Sequence, residues 1–271
     1  MDRRTYIKSA GATGVALTAA GCLGGGGGES ETITIGSDIP YRPFEYETTD
    51  GELTGFDVDI AQAVFTEELG YEHEFVQTSF DTIIPSLNNG NFRVIMSAMT
   101  INDERDEEVD FSDPYFTAYQ TIVVLEDSDI SSVEDMAGVR VGVQKGTTGA
   151  AAAQSLKEDL GGDLEINEYD QIPDAFSALL NNQVDAVVND NTVSAEFVNG
   201  DGEGEVRFVE GEGAASEAGQ DAPPYLTLTV ENYGIAFRED DDELLEEVNG
   251  ALATIKDNGT YDEIYSEYFA G

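Results

Sequence analysis

The chain has 271 residues, and its 56 aspartates and glutamates against 12 lysines and arginines give a formal net charge of −44. A surface this negative repels nucleic acid and anionic membranes, which excludes those partners, and a 40% hydrophobic content arranged in periodic blocks excludes a disordered acidic tail. Because the acid is spread over the whole length, it reads as the solvent adaptation that keeps proteins of extreme halophiles hydrated in concentrated salt, not as a cation site.

The first 28 residues read as processing signals and take no part in the fold. Asp2-Arg3-Arg4-Thr5-Tyr6-Ile7-Lys8 resembles a twin-arginine export signal, and the small-residue run from Ser9 to Ala20 is too short and too weakly apolar to span a bilayer. Ala19-Ala20-Gly21-Cys22 then reads as a lipobox, with the thiol of Cys22 receiving lipid. Cys22 is the only cysteine, so disulfides and thiolate metal sites are excluded. Gly24 to Gly28 follow as a flexible tether. No cofactor and no metal are expected.

From Thr32 onward, short β-branched runs alternate with segments of helical period. Thr32-Ile33-Thr34-Ile35 predicts a strand, and Phe56, Ile60 and Val64 predict one apolar helix face. Phe75-Val76 and Val94-Ile95-Met96 predict two more strands, separated by a helix carrying Ile83, Ile84 and Leu87. This βαβ rhythm implies a parallel sheet sandwiched by helices. It restarts at Arg140-Val141-Gly142-Val143, passes through helices beginning near Thr148 and Ile172, and includes the strand Asp185-Ala186-Val187-Val188. The expected architecture is therefore α/β, with two lobes.

Thr121 to Leu125 lies between the two halves, and Thr227 to Val230 with Tyr233 to Phe237 follows the second, so the expected connection is a two-strand hinge. Leu244, Leu245, Val248, Leu252 and Ile255, then Tyr261, Ile264, Tyr265 and Phe269, predict a helical return to the first lobe. The expected division is 32–119 with 231–271 as lobe 1 and 120–230 as lobe 2. Residues 200–224, rich in Gly and Glu and without clear period, are expected to be an acidic loop.

Several ordered blocks carry a family resemblance. They are Gly36-Ser37-Asp38 with Tyr41-Arg42-Pro43-Phe44, Gly55-Phe56-Asp57-Val58-Asp59-Ile60, and Phe80-Asp81-Thr82-Ile83-Ile84-Pro85-Ser86-Leu87. Met99-Thr100-Ile101-Asn102-Asp103-Glu104-Arg105, Asp110-Phe111-Ser112-Asp113-Pro114-Tyr115, Gly146-Thr147-Thr148 and Asn258-Gly259-Thr260-Tyr261 follow. In order and spacing they resemble the amino-acid-binding solute-binding proteins of ABC importers, family 3, here in a halophilic archaeal form. The resemblance implies a type II periplasmic-binding-protein-like fold with a ligand cleft between the lobes. It also implies a non-enzymatic monomer, held by lipid at the outer face of the cell membrane, that delivers a free amino acid to ABC permease subunits.

A free amino acid presents a carboxylate and an ammonium, and neither can be buried without a partner. The resemblance places Arg105 on the carboxylate, where the guanidinium fork can hold both oxygens. Thr147 and Thr148 would add main-chain N–H donors at a helix start, and Ser97, Ala98 and Thr100 carbonyl and hydroxyl groups. Asp190 would take the ammonium from the opposite lobe. Tyr41 and Phe80 match positions that sandwich the ligand's side chain, and Asp38 matches one that reaches its polar end, which favours a polar or cationic amino acid.

Asp57 and Asp59 are expected to serve as N-cap and first-turn charge of the following helix. Arg93 stands where the family carries an aspartate, so the local hydrogen bonding must differ, and Gln144-Lys145 leaves open whether a cation faces the ligand. Two alternatives use the same fold: a sensor domain and a dehydratase-like enzyme. The sole histidine, His73, lies in an acidic stretch beside a strand and is not expected to be catalytic.

Overall fold

The computed structural model describes residues 31–220 and 222–269. The twin-arginine pattern, the lipobox with Cys22 and the glycine tether lie outside the described residues. Among the described residues no helix is long and apolar enough to cross a membrane.

In the first lobe, strand β1 (Thr32–Ser37) buries Ile33 and Ile35 and pairs in parallel with β4 (Glu72–Gln77) and β5 (Val94–Ile95). A small hairpin of β2 (Tyr46–Glu47) and β3 (Leu53–Thr54) precedes helix α1 (Phe56–Ala61), which runs on as a wider helix to Glu68. Phe56, Ile60 and Val64 are all fully buried. Helix α2 (Ile83–Asn88) leads to β5, and the short helix α3 (Asp103–Asp106) precedes β6 (Asp110–Phe111).

The chain then crosses to the second lobe on β7 (Phe116–Leu125). There β8 (Arg140–Gln144), α4 (Thr148–Asp159), β9 (Glu165–Tyr169), α5 (Ile172–Leu180) and β10 (Ala186–Asp190) follow, with α6 (Asn191–Glu196) leaving the end of β10. Strand β12 (Thr227–Tyr233) returns the chain, β13 (Ala236–Phe237) rejoins the first sheet, and α8 (Asp242–Asn258) and α9 (Thr260–Phe269) pack on the first lobe against the α1 segment.

The sheets are mixed, not all-parallel. One has the order β4-β1-β5-β13-β6, with β13 antiparallel to both neighbours; the other runs through β7-β10-β8-β9, with β7 antiparallel to β10 and to β12. Thr121–Leu125 lies within the second lobe's sheet, and the crossing itself falls on the earlier half of β7 and the later half of β12.

An aromatic cluster anchors that crossing in the first lobe. Fully buried Phe44 has the rings of Phe116, Tyr233, Phe269 and Phe56 at centroid distances of 5.0, 5.3, 5.7 and 6.0 Å. Each such pair contributes roughly 0.5–1.5 kcal/mol beyond area burial. The roots of β7 and β12 are thereby packed against α1 and α9.

Residues 200–224 are not simply a loop. Strand β11 (Val206–Phe208) pairs antiparallel with β7, a turn of helix α7 (Ala214–Glu217) follows, and Glu210 bridges to Tyr225. Val206 and Val209 are buried and Phe208 stacks on Tyr225 at 4.2 Å. Flanking Gly and Glu hid this short apolar alternation from a reading by period. Arg93 ties the first lobe together, donating from Nε to Asp241 at 2.9 Å and pairing with Glu31.

Candidate ligand-binding cleft

Both sheets end their parallel strands at the interlobe cleft, the position where open α/β sheets hold ligands. Asp38, Tyr41, Phe80, Ser97, Ala98, Thr100, Arg105, Thr147, Thr148 and Asp190 all line this one cleft, together with Gln144. Their side chains leave a cavity of only about 20 Å³, room for about one water molecule, so the lobes must part to admit a larger ligand.

Asn102 caps α3 by accepting the main-chain N–H of Arg105 at 2.9 Å, which orients the arginine inward. Arg105 is only 8% exposed. Its Nη1 donates to Thr100 O at 2.7 Å, its Nη2 to Gly146 O at 3.2 Å, and its Cζ stands 5.2 Å from the centroid of the Phe80 ring. Among the described residues no carboxylate forms an ion pair with it within 4.0 Å. Burial lowers its pKa while the charges on Glu231 and Asp190 oppose that shift. A buried cation without a direct counter-ion favours an incoming carboxylate.

Across the cleft, Gly146 takes a positive φ of 72° to turn the chain from β8 into α4. Thr147 is the N-cap: its hydroxyl accepts from Ala150 N at 3.1 Å and donates to Gln144 O at 2.8 Å. Thr148 Oγ1 accepts from Gln120 Nε2 at 3.2 Å and lies 3.4 Å from Thr100 Oγ1. The start of α4 thus faces the arginine.

Asp190, at the end of β10, is 6% exposed and accepts from Gln120 Nε2 at 2.6 Å and from the Tyr41 hydroxyl. Burial and the charge on Glu231 push its carboxyl up to about 7, against the donors Tyr41 and Tyr233 and the charge of Arg105. Asp38 is raised to about 6 by burial, and accepts from Gln144 and Gln171.

Some expected roles differ. The Ser97 hydroxyl is already engaged, donating to Glu45 Oε1 at 2.8 Å and accepting from Asp38 N at 3.0 Å, and the Thr100 carbonyl is taken by Arg105. Tyr41 stacks on Phe44 at 6.2 Å and directs its hydroxyl to Asp190 and Asn189, so it links the lobes as well as presenting a ring. Gln144 faces Asp38, while Lys145 turns outward to pair with Asp170.

Asp57 is not an N-cap. Gly55 holds that position, and Asp57 is fully buried, accepting from Ala98 N at 2.9 Å and from the Tyr115 hydroxyl at 2.8 Å. It fastens Ala98, whose φ of 46° is unfavourable for a residue with a Cβ, and so shapes the Ser97–Thr100 wall. Its place one turn before buried Ile60 and Ala61 was the available signal. Asp59 does sit in the first turn, accepting from the Tyr268 hydroxyl. Gln120 and Glu231 left no local signal.

Residues 33–271 match the family described as bacterial extracellular solute-binding proteins, family 3. A probable histidine-binding protein of Neisseria gonorrhoeae is 33% identical over 87% of this chain and 82% of its own length. An ancestral arginine-binding protein, solved bound to arginine, superposes with a TM-score of 0.77 at 38% identity, covering 88% of this chain and 98% of that one. An ancestral amino acid-binding protein that is a precursor of cyclohexadienyl dehydratase gives 0.74 at 37% identity, over 88% and 95%.

Proposed function

The chain belongs to the bacterial extracellular solute-binding proteins, family 3, and from that premise we propose that it captures a free polar or cationic amino acid for delivery to the permease of an ABC importer. One observation carries this: Arg105 on the first lobe and Asp190 on the second, both nearly buried, line one cleft between the lobes. Arg105 takes the α-carboxylate and Asp190 the α-ammonium, so the ligand bridges the lobes. Phe80 and Tyr41 border the side-chain space, and Asp38 at its far side favours a polar or cationic end. The arginine complex of the ancestral structure supports that class.

Calorimetry at high salt with L-arginine, L-lysine, L-histidine and L-glutamine, set beside aliphatic amino acids, tests the reading. Saturable heat from one of the first four is expected. Heat from none of the common amino acids overturns it.

The likeness to a dehydratase precursor favours an enzyme as the second reading. The sole histidine, on the edge strand β4, is bonded to Thr66 at 2.9 Å and does not line the cleft, and we place no reaction there. Turnover of shikimate-pathway acids would reverse that. Export by the twin-arginine signal, anchoring through Cys22 at the outer face of the membrane, a monomeric state and a salt-adapted surface of halophilic type complete the proposal, all on the residue pattern.

A further inference from the structure

The register of the crossing strands brings a further carboxylate to the ammonium end of the cleft. Asp190 pairs with Gln120 across β10 and β7, while Thr229 pairs with Gln120 and Glu231 with Ala118 across β12 and β7. Residues two apart on a strand, and partners directly across it, point to the same face. Asp190, Gln120, Thr229 and Glu231 therefore share one face, with the two acids on opposite edges of β7.

Glu231 is 4% exposed. One carboxylate oxygen accepts the Thr229 hydroxyl at 2.6 Å, and the other is buried without a hydrogen bond. An unsatisfied buried carboxylate oxygen is costly unless a cation or proton answers it. Burial apart, the charge on Glu231 is the largest influence on both Asp190 and Arg105. The other titratable groups acting on Asp190 are Tyr41 from the loop after β1, Tyr233 on β12 and Arg105 on α3.

We propose that Glu231 is a positioning residue for the ligand's ammonium: its charge, on the same face of the sheet as Asp190, keeps the Asp190 carboxyl protonated until the arriving ammonium displaces that proton to solvent. The inference rests on Asp190 being the ammonium partner. Charge balances at Asp190: a neutral carboxyl gives way to a carboxylate paired with an ammonium, the proton having passed to buffer. A carboxyl buried near another negative charge resists ionisation until a cation enters.

The test is calorimetry of L-arginine, L-histidine, L-lysine and L-glutamine on the full chain in buffers of different ionisation enthalpy. With Asp190 raised to about 7, the tightest binder should release roughly half a proton at pH 7, and its affinity should rise about tenfold per unit between pH 5 and 6.5, then level off. Glu231→Gln keeps the size of the side chain and removes its charge. It should at least halve the release and move the levelling to lower pH, whereas a loss of packing alone would weaken binding without changing either.

Equal release from wild type and Glu231→Gln overturns the proposal, as does buffer-independent heat in the wild type. Binding of none of the four overturns the ligand reading itself. Should Glu231→Gln not fold, carboxyl-carbon NMR of the wild type serves: a titration near pH 7 that Asp190→Asn abolishes is expected, and its absence overturns the proposal.

Discussion

The guanidinium of Arg105, carried by the first lobe, donates from Nη2 to the main-chain carbonyl of Gly146 in the second lobe at 3.2 Å. One side chain thus both fills the place proposed for the ligand carboxylate's partner and reports on the approach of the lobes. A ligand favours the closed arrangement only to the extent that it binds that arrangement better, and a group touching both lobes has its full contacts only there.

Arg105→Ala should therefore lose on the order of 3–5 kcal/mol of ligand affinity, because it strands a buried carboxylate. Asp190→Asn keeps a carbonyl acceptor and should weaken binding less than Asp190→Ala. Calorimetry on the three variants checks the order, and small-angle scattering with and without amino acid checks closure. Wild-type affinity in Arg105→Ala would remove the carboxylate site.

Gly146→Ala should lower folding stability by about 1–2 kcal/mol through left-handed backbone strain alone. A Cβ there would also stand 2.9 Å from Asp81 Cα in the first lobe, so it should hold the lobes apart. The expected signature is a ligand-saturated radius of gyration larger than that of the wild type. An unchanged affinity and radius would show that the lobes do not close at this point.

Stability should fall as pH rises toward neutrality. Asp38 and Asp57 are raised from 3.8 to about 6 and Asp190 to about 7, chiefly by burial. The folded state holds these protons more tightly than the unfolded chain, so their contribution is full below about pH 3.8 and is lost as pH climbs through 6 and 7. Measured in about 1 M KCl, where the Debye length is about 3 Å, Tm should be higher at pH 5 than at pH 7.5. Asp190→Asn should flatten the portion above pH 6. A Tm that climbs over this range contradicts the assignment.

Salt should act in the opposite sense on the surface. With a net charge of −44, self-repulsion extends over a Debye length of roughly 30 Å at 0.01 M and about 3 Å at 1 M. Melting followed by circular dichroism should therefore shift upward steeply with KCl. Ligand affinity should respond much less, because desolvated contacts are weakly screened. A flat melting curve against salt would refute the halophilic reading.

Cys22→Ser should release the protein into the medium or leave its precursor unprocessed. Mass spectrometry of the mature wild-type N-terminus is the direct check, and an unlipidated chain beginning at Cys22 would dismiss anchoring while leaving export intact.

Much of this protein was determined by sequence alone, because the relevant signals are local. The period of Phe56, Ile60 and Val64, the β-branched run at Ala186–Val188 and the ordered blocks around Tyr41, Phe80, Arg105 and Thr147 each lie within a few residues, where propensity and spacing act directly. They were enough to place helices, strands and the residues that line one cleft. Tertiary structure decided what those residues are bonded to. Tyr41 reaches Asp190 from 149 positions away, and Gln120 from 70. Glu231 shares their face only through the register of β12 on β7, and Asp57 serves Ala98 rather than its own helix. Burial and cross-strand register exist only once the chain has folded. In a sequence with 56 acidic residues, the few whose charge is held out of water cannot be told from the many that face it until the packing is known.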